Sequence, residues 1–119
     1  MRKKAEMISM LYGIVDLGSN TIRLSIYQCG GGQFRLLLNK KTMAGLAGYV
    51  RHGILSDGGI LVACRTLSGY QTLLDNFNVQ EMRVFATASL RNISNTAEAV
   101  QTIRDITGIA VEVLSGEEE

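Results

Sequence analysis

The sequence predicts an α/β fold, in which a mixed five-stranded sheet has helices packed on it. Two glycine-containing turns, near Gly18 and at residues 30–32, separate three runs of β-type residues at the start of the chain. Two helical patterns follow, and a short apolar run comes after each of them. The element order is therefore β-β-β-α-β-α-β, in which an antiparallel hairpin edge leads into right-handed crossovers between parallel strands.

The three N-terminal strands are predicted from their apolar patterns. Residues 11–16 form an apolar run that ends in an aspartate, whereas residues 21–28 alternate between apolar and polar side chains. The third strand covers residues 33–40, and its apolar side chains are expected on one face: Phe34, Leu36 and Leu38. Because tight turns join these strands, they form an antiparallel meander.

The first long helix is predicted after residue 55. Residues 42–53 have a weaker pattern, which indicates a glycine-rich loop or an irregular helix. Ser56 or Asp57 is the expected cap of the helix that follows. Its apolar stripe is expected to face the sheet: Ile60, Cys64, Leu67, Leu74 and Phe77. A cysteine on such a stripe is expected to be a small buried side chain.

The second half of the chain contains a strand, a helix and a last strand. Residues 82–86 and 109–114 are short apolar strands. Asn95, with Glu98 three residues later, resembles a capping box that opens the helix between them. The residues of this helix that are expected to be buried are Val100 and Ile103. The complete order matches one half of an actin-like, ribonuclease-H-type architecture.

The composition excludes several classes of protein. With 119 residues, 46% of them hydrophobic and 19% charged, the chain is one globular domain. A net charge of +1 gives no general electrostatic reason to bind DNA or an acidic membrane. Two cysteines and one histidine lack metal-ligand spacing, and a reducing, cytoplasmic compartment is expected. We expect residues 1–10 to be a flexible basic leader and residues 11–119 to be a truncated domain.

Asp16 and the turn after it are the most informative residues for function. An apolar strand ends in Asp16, and a turn of small residues follows: Gly18, Ser19, Asn20 and Thr21. A glycine turn lets backbone N–H groups converge on an anion, and the carboxylate can hold a cation against that anion. The same residue types also fit a plain hairpin turn, so the motif alone leaves both interpretations open.

Two further segments lie at or just after predicted strand ends. Residues 86–95 place hydroxyl side chains and Arg91 in a strand-to-helix turn. The guanidinium of an arginine at this place can bind phosphate oxygens. The alternative interpretation is a solvated helix cap with a surface arginine. Residues 115–119 place glutamates after a strand, where one could deprotonate a water or help hold a divalent ion; a solvated tail is the alternative. Since ligands bind outside the carboxyl ends of parallel strands, these segments are expected at one sheet edge.

Together the three motifs resemble those of the exopolyphosphatase/guanosine pentaphosphate phosphatase (Ppx/GppA) family. They read Asp-Leu-Gly-Ser-Asn-Thr-Ile-Arg-Leu at 16–24, Ala-Thr-Ala-Ser-Leu-Arg-Asn-Ile-Ser-Asn at 86–95 and Val-Leu-Ser-Gly-Glu-Glu-Glu at 113–119. The resemblance implies the acetate kinase/sugar kinase/Hsp70/actin superfamily and Mg²⁺-dependent hydrolysis of terminal phosphates. It implies polyphosphate or guanosine pentaphosphate as the substrate. We expect a homodimer for the full-length protein and self-association for the fragment.

The resemblance also implies a role for each matching residue. Asp16 matches the aspartate of the first phosphate loop, as a metal ligand, and Arg91 matches a phosphate ligand. Glu118 best matches the catalytic glutamate; Glu119 is the neighbouring candidate, because Glu117 fills the variable position of the motif. The residues that match the loop around the phosphates are Gly18, Ser19, Asn20 and Thr21.

Two departures from the family pattern bear on activity. Residues 41–46 stand where the family has a Val-Arg-Leu-Gly stretch, so its arginine is missing; Lys40 or Lys41 could substitute as a point charge. The family's second phosphate loop has no counterpart, so we expect half a site and an inactive fragment. One alternative function is a non-catalytic binding module for polyphosphate or a nucleotide. The other is an ATP-dependent kinase of the same superfamily, and the terminal glutamates argue against the kinase.

Overall fold

A mixed five-stranded sheet forms the frame of the molecule. The computed structural model describes residues 10–116. Within that range the strands are β1 (Met10–Leu17), β2 (Ile22–Gly30), β3 (Gln33–Thr42), β4 (Val50–Arg51), β5 (Ile54–Leu55), β6 (Glu81–Ala86) and β7 (Val111–Val113). The main sheet has the order β3-β2-β1-β6-β7, with β1 antiparallel to β2 and parallel to β6. This confirms the predicted fold class. Of the expected leader, residues 1–9 lie outside the described range.

The helices are α1 (Asp57–Asn76), α2 (Ala88–Arg91) and α3 (Thr96–Thr107). Ser56 caps α1, because its hydroxyl accepts a hydrogen bond from the Gly59 N–H at 3.2 Å. Residues 42–53, expected to be a loop or an irregular helix, contain a 3-10 turn at Leu46–Tyr49 and part of the small β4–β5 hairpin. No helix within residues 10–116 is long and apolar enough to cross a membrane.

One face of the sheet carries the hydrophobic core, and we call it the helix-covered face. On β1, Val15 and Leu17 are fully buried, whereas the alternate residues Ile14 and Asp16 are exposed. A Cβ on Gly13 would lie 2.7 Å from the side chain of Leu74, so α1 packs directly against β1. The largest fully buried side chains of α1 and α3 in this core are Ile60, Leu67, Leu74 and Ile103. As predicted, Cys64 is also buried there.

The opposite face, which we call the outer face, is defined by the alternate residues of β1 and their partners across the sheet. Tyr12 pairs with Tyr27, and Asp16 pairs with Arg23 on one side and Phe85 on the other. Side chains of directly paired residues lie on the same side of a sheet. The outer face therefore combines aromatic residues in its middle with charged residues at the edge where β1 ends.

The expectation that the apolar residues of β3 share one face is wrong. The register of β3 shifts opposite Ile26 and Tyr27, which pair with Leu38 and Leu36 respectively. One extra residue of β3 lies between those two pairs, which is a β-bulge. A bulge reverses the alternation, so Leu38 packs against the core while Leu36 and Phe34 lie on the outer face.

Two expectations about helix packing are also corrected. Phe77 is 52% exposed, because it lies at the end of α1, beyond the turn that packs on the sheet. On α3, Ile103 is fully buried as predicted, but Ala99 is the other buried residue and Val100 is only partly covered.

Candidate functional site

The three motif segments begin at one edge of the sheet. In the parallel register Leu17 pairs with Ala86, and Ala86 pairs with Val113. The loop of residues 18–21, the turn into α2 and the chain that leaves β7 all follow directly from this row. The predicted convergence is therefore present for residues 16–21, 86–95 and 114–116. Glu117, Glu118 and Glu119 lie outside the described residues.

Gly18 forms a tight turn at the start of the first loop. Its N–H donates to the Thr21 carbonyl at 3.1 Å. A Cβ at this position would lie 2.6 Å from the Thr21 oxygen, so the close approach requires a glycine. Within residues 10–116 the amides of Ser19 and Asn20 donate no hydrogen bond. These two N–H groups, rather than that of Gly18, remain able to bind an anion.

The 3-10 turn holds the loop from the other side. The Gly45 N–H donates to the Asn20 carbonyl at 2.9 Å, and the Ala47 N–H donates to the Ser19 carbonyl at 2.8 Å. Because the C=O and N–H of a trans peptide point in opposite directions, the Asn20 and Thr21 N–H groups point away from the 3-10 turn.

Buried hydroxyl groups fasten both ends of the loop. At its start, Ser89 Oγ donates to the Leu17 carbonyl. At its end, Tyr70 Oη donates to the Ile22 carbonyl at 2.7 Å and also contacts Thr42 Oγ1 at 2.6 Å. Ser89, one of the hydroxyl residues that the sequence placed in the anion-binding turn, therefore joins the first two motifs to each other.

Arg91 joins the second motif to the third. It is the last residue of α2, and its Nη1 donates to the Leu114 carbonyl at 3.1 Å. The Leu114 N–H in turn donates to the Ala86 carbonyl at 2.8 Å. The guanidinium thus lies between α2 and the chain that leads to the glutamates.

Asn95 does not form the predicted capping box. Its side chain accepts from the Leu55 N–H at 3.0 Å and donates to the Leu55 carbonyl at 3.0 Å, so it pairs with β5 and makes no cap bond to α3. The neighbouring Ser94 donates to the Gly53 carbonyl from its N–H at 2.7 Å and from its hydroxyl at 3.2 Å. The segment after α2 is therefore attached to the β4–β5 hairpin.

Two basic residues of the outer face lie in the same cross-strand row as Asp16. Arg23 pairs with Asp16 across β1 and β2, and Lys41 pairs with Arg23 across β2 and β3. Lys40 pairs with Leu24 instead, and therefore lies on the helix-covered side. Sequence reasoning missed Arg23, although its place at a polar position of an alternating strand was visible.

These two side chains are not neutralised by the described part of the protein. Within residues 10–116, neither Arg23 nor Lys41 forms an ion pair, whereas Arg83, farther from the edge, is bound to Glu112 at 2.9 Å. Both are exposed. Positive charge that is free to bind an anion thus lies on the same row of the outer face as the Asp16 carboxylate.

Asp16 is a side chain at this edge that could hold a metal ion. No group of three or more metal-ligating side chains occurs within residues 10–116, so a cage built from the described side chains is absent. Asp16 is an exposed carboxylate next to the loop that carries the Ser19 and Asn20 amides. Mg²⁺ commonly binds through one or two carboxylates together with substrate phosphates and water.

The Cys64 thiol belongs to the hydrophobic core, and its burial there raises its pKa.

Comparisons with known proteins identify the fold and the family. The chain is 28% identical to the Ppx/GppA protein of Aquifex aeolicus, with a TM-score of 0.85 over 93% of this chain and 37% of that one. For an exopolyphosphatase from Cytophaga hutchinsonii, the identity is 28% and the TM-score 0.83 over 92% of this chain and 36% of that one. These likenesses confirm the predicted actin-like, ribonuclease-H-like fold.

Sequence comparison gives the same result. A guanosine-5′-triphosphate,3′-diphosphate pyrophosphatase of Vibrio cholerae is 30% identical over 112 residues, which is 93% of this chain and 22% of that protein. The chain thus spans about a fifth of the length of this curated relative. The model of the Ppx/GppA phosphatase family matches residues 25–119, beginning just after the first loop. The chain therefore belongs to the Ppx/GppA phosphatase family.

Proposed function

We propose that this chain is the N-terminal, phosphate-binding part of a phosphohydrolase that removes the terminal phosphate of inorganic polyphosphate or guanosine pentaphosphate. The observation that carries the proposal is the convergence of the 18–21 loop, Arg91 and the exit of β7 at one sheet edge. The names of the relatives support the substrate class, because one is an exopolyphosphatase and another acts on guanosine-5′-triphosphate,3′-diphosphate.

The loop and the arginine would bind the phosphate groups. The free amides of Ser19 and Asn20 are suitable donors to phosphate oxygens, and the Thr21 side chain lies on the same turn. Arg91 would add a planar, charged donor that matches two phosphate oxygens. A guanidinium carries five N–H donors, and the Nη1 bond to the Leu114 carbonyl places this side chain beside the exit of β7.

Arg23 and Lys41 would extend this site along the outer face. Both are exposed and lie in the row of Asp16. A substrate with several phosphates carries more charge than one loop can balance, and cations beside the loop lower the cost of bringing that charge to the protein. Lys41, rather than Lys40, is thus the lysine that would stand in for the missing family arginine.

Asp16 would hold a Mg²⁺ ion against the bound phosphates, and the ion would supply neutralisation of negative charge at the reacting group. The Asp16 carboxylate lies just before the loop, where it is exposed and makes no ion pair within residues 10–116. This position keeps the carboxylate accessible from the sheet edge.

Glu118 would orient and deprotonate the attacking water, with Glu119 as the neighbouring candidate. The described chain reaches Gly116 directly after the Leu114 carbonyl that Arg91 binds. A catalytic base on this segment would therefore come only a few residues along the chain after the carbonyl that the Arg91 guanidinium binds. Catalysis of this kind depends mostly on positioning and charge stabilisation, so we expect the loss of either group to reduce the rate by orders of magnitude.

Titration of the 119-residue chain with inorganic tripolyphosphate and Mg²⁺ tests the proposal. We expect NMR shifts at the Ser19 and Asn20 amides, weaker but measurable binding in Arg91→Ala, and no release of phosphate, since the described residues supply one side of a cleft that would have to exclude water. Arg104→Ala is the matched control, because that arginine is exposed on α3. Unchanged loop amides, or an equal loss in the control, would contradict the proposal.

A further inference from the structure

We propose that Asn95 is a positioning residue for Arg91, and that it acts by attaching the segment after α2 to the β4–β5 hairpin. The inference rests on the proposed function, in which Arg91 binds phosphate. Asn95 lies outside the set of residues that the sequence motifs assign to substrate or metal.

The contacts of Asn95 are those of a tertiary attachment. Its amide makes two hydrogen bonds of 3.0 Å to the backbone of Leu55, one as acceptor and one as donor. An asparagine is the neutral side chain of this length that offers both groups in one plane. The same residue stands at the N-terminus of α3, where asparagine normally accepts a hydrogen bond from the helix, but it makes no such bond here. Its hydrogen-bonding capacity is thus directed to the hairpin.

The backbone around Arg91 is fixed from both sides. Before it, Ser89 is bonded to the end of β1. After it, Thr96 Oγ1 donates to the Ile93 carbonyl at 2.9 Å and to the Leu90 carbonyl. The short segment from Arg91 to Asn95 is held at its far end by the two bonds to Leu55. Without the Asn95 bonds, the two bonds from Ser94 to the Gly53 carbonyl would remain as the attachment to the hairpin, so we expect the α2–α3 connection, and the guanidinium with it, to be held less tightly.

The hairpin also leads back to the phosphate loop. It follows the 3-10 turn, which donates to the Ser19 and Asn20 carbonyls through Ala47 and Gly45. One continuous path of hydrogen-bonded backbone therefore runs from the loop through the hairpin to Asn95. Through this path Asn95 sets the distance between the loop amides and Arg91, which are the two groups proposed to share one phosphate chain.

A double-mutant cycle on the affinity for inorganic tripolyphosphate, measured with Mg²⁺ and the 119-residue chain, tests the inference. We expect Asn95→Ala to weaken binding about tenfold in the unmodified chain and less than about twofold in an Arg91→Ala background, because coupled residues are not additive. Asn92→Ala is the matched control: this asparagine is exposed at the end of α2, and its side chain makes no hydrogen bond within residues 10–116. We expect it to leave the affinity unchanged.

A second readout does not depend on the ligand. In the free protein, the Nε–Hε NMR signal of Arg91 is expected to shift or broaden in Asn95→Ala and to stay in place in Asn92→Ala. Asn95→Asp keeps the shape of the side chain and its acceptor but loses the donor to the Leu55 carbonyl. Although this variant retains the packing, we expect its Arg91 signal to shift or broaden as in Asn95→Ala.

The outcomes separate the inference from the proposed function. Equal loss of affinity by Asn95→Ala in both backgrounds, or an unmoved Arg91 signal in both Asn95 variants, would overturn the positioning role alone. Failure of the unmodified chain to bind tripolyphosphate would overturn the proposed function, and with it the phosphate-binding role through which Asn95 is argued to act.

Discussion

The two faces of the sheet are built from the same strands but differ in what covers them. Along β1, Val15 and Leu17 are fully buried under the helices, whereas Ile14 is 39% exposed and Asp16 is exposed at the edge. The helix-covered face holds the core, and the outer face carries the charged row of Asp16 and Arg23. We infer that folding stability depends on the first face, while substitutions on the second can test function without unfolding the protein.

The largest expected effect is on the helix-covered face. Leu67 is fully buried in the middle of α1, and Leu67→Ala removes buried apolar surface and leaves a cavity. We expect the free energy of unfolding to fall by about 2–5 kcal/mol. Urea denaturation followed by circular dichroism measures it. Leu61→Ala is the control in the same helix, because Leu61 is 44% exposed. Similar losses for the two variants would contradict the assignment of stability to the side chains of α1 that are buried on the helix-covered face.

A smaller effect is expected from the hydroxyl that fastens the end of the phosphate loop. Tyr70→Phe keeps the buried ring but removes the donor to the Ile22 carbonyl and the partner of Thr42. We expect a loss of about 1–2 kcal/mol in the free energy of unfolding. Faster hydrogen exchange of the Gly18 amide, which donates to the Thr21 carbonyl, is also expected, because one end of the loop is released.

The control for this change lies on the outer face. Tyr12 is only half-buried there, and its hydroxyl makes no hydrogen bond within residues 10–116. We expect Tyr12→Phe to change stability by less than about 0.5 kcal/mol and to leave the loop amides unaffected. Loop exchange that increases equally in both variants would show that the Tyr70 hydroxyl does not hold the loop.

The difference between the faces also separates what the sequence could predict from what it could not. The alternation along β2 and the apolar stripe of α1 depend on local period, so both elements and most of their buried residues were predictable. The bulge in β3 has no local signature, and it moved Phe34 and Leu36 to the outer face. The β4–β5 hairpin was missed because strands of two residues have no detectable period.

The same reasoning applies to the candidate site. Its place at one edge was predictable, because parallel strands bring their carboxyl ends together. The proximity of Arg23 to Asp16 required the exact pairing register of β1 and β2, which the motif alone does not specify. The contact of Asn95 with Leu55 joins residues 40 positions apart, and the capping pattern around Asn95 pointed to a local bond instead. Contacts between distant segments are decided by the whole fold.

The smallest effect on stability is expected on the outer face, at Phe34. This side chain is 80% exposed, so Phe34→Ser should change the free energy of unfolding by less than about 0.5 kcal/mol. If the apolar outer face drives the expected self-association of the 119-residue chain, the same substitution should weaken that association in analytical ultracentrifugation. Phe77→Ser is the matched control, since Phe77 is 52% exposed at the end of α1. Equal weakening by both variants would indicate general surface hydrophobicity, whereas weakening by Phe34→Ser alone would assign association to the outer face.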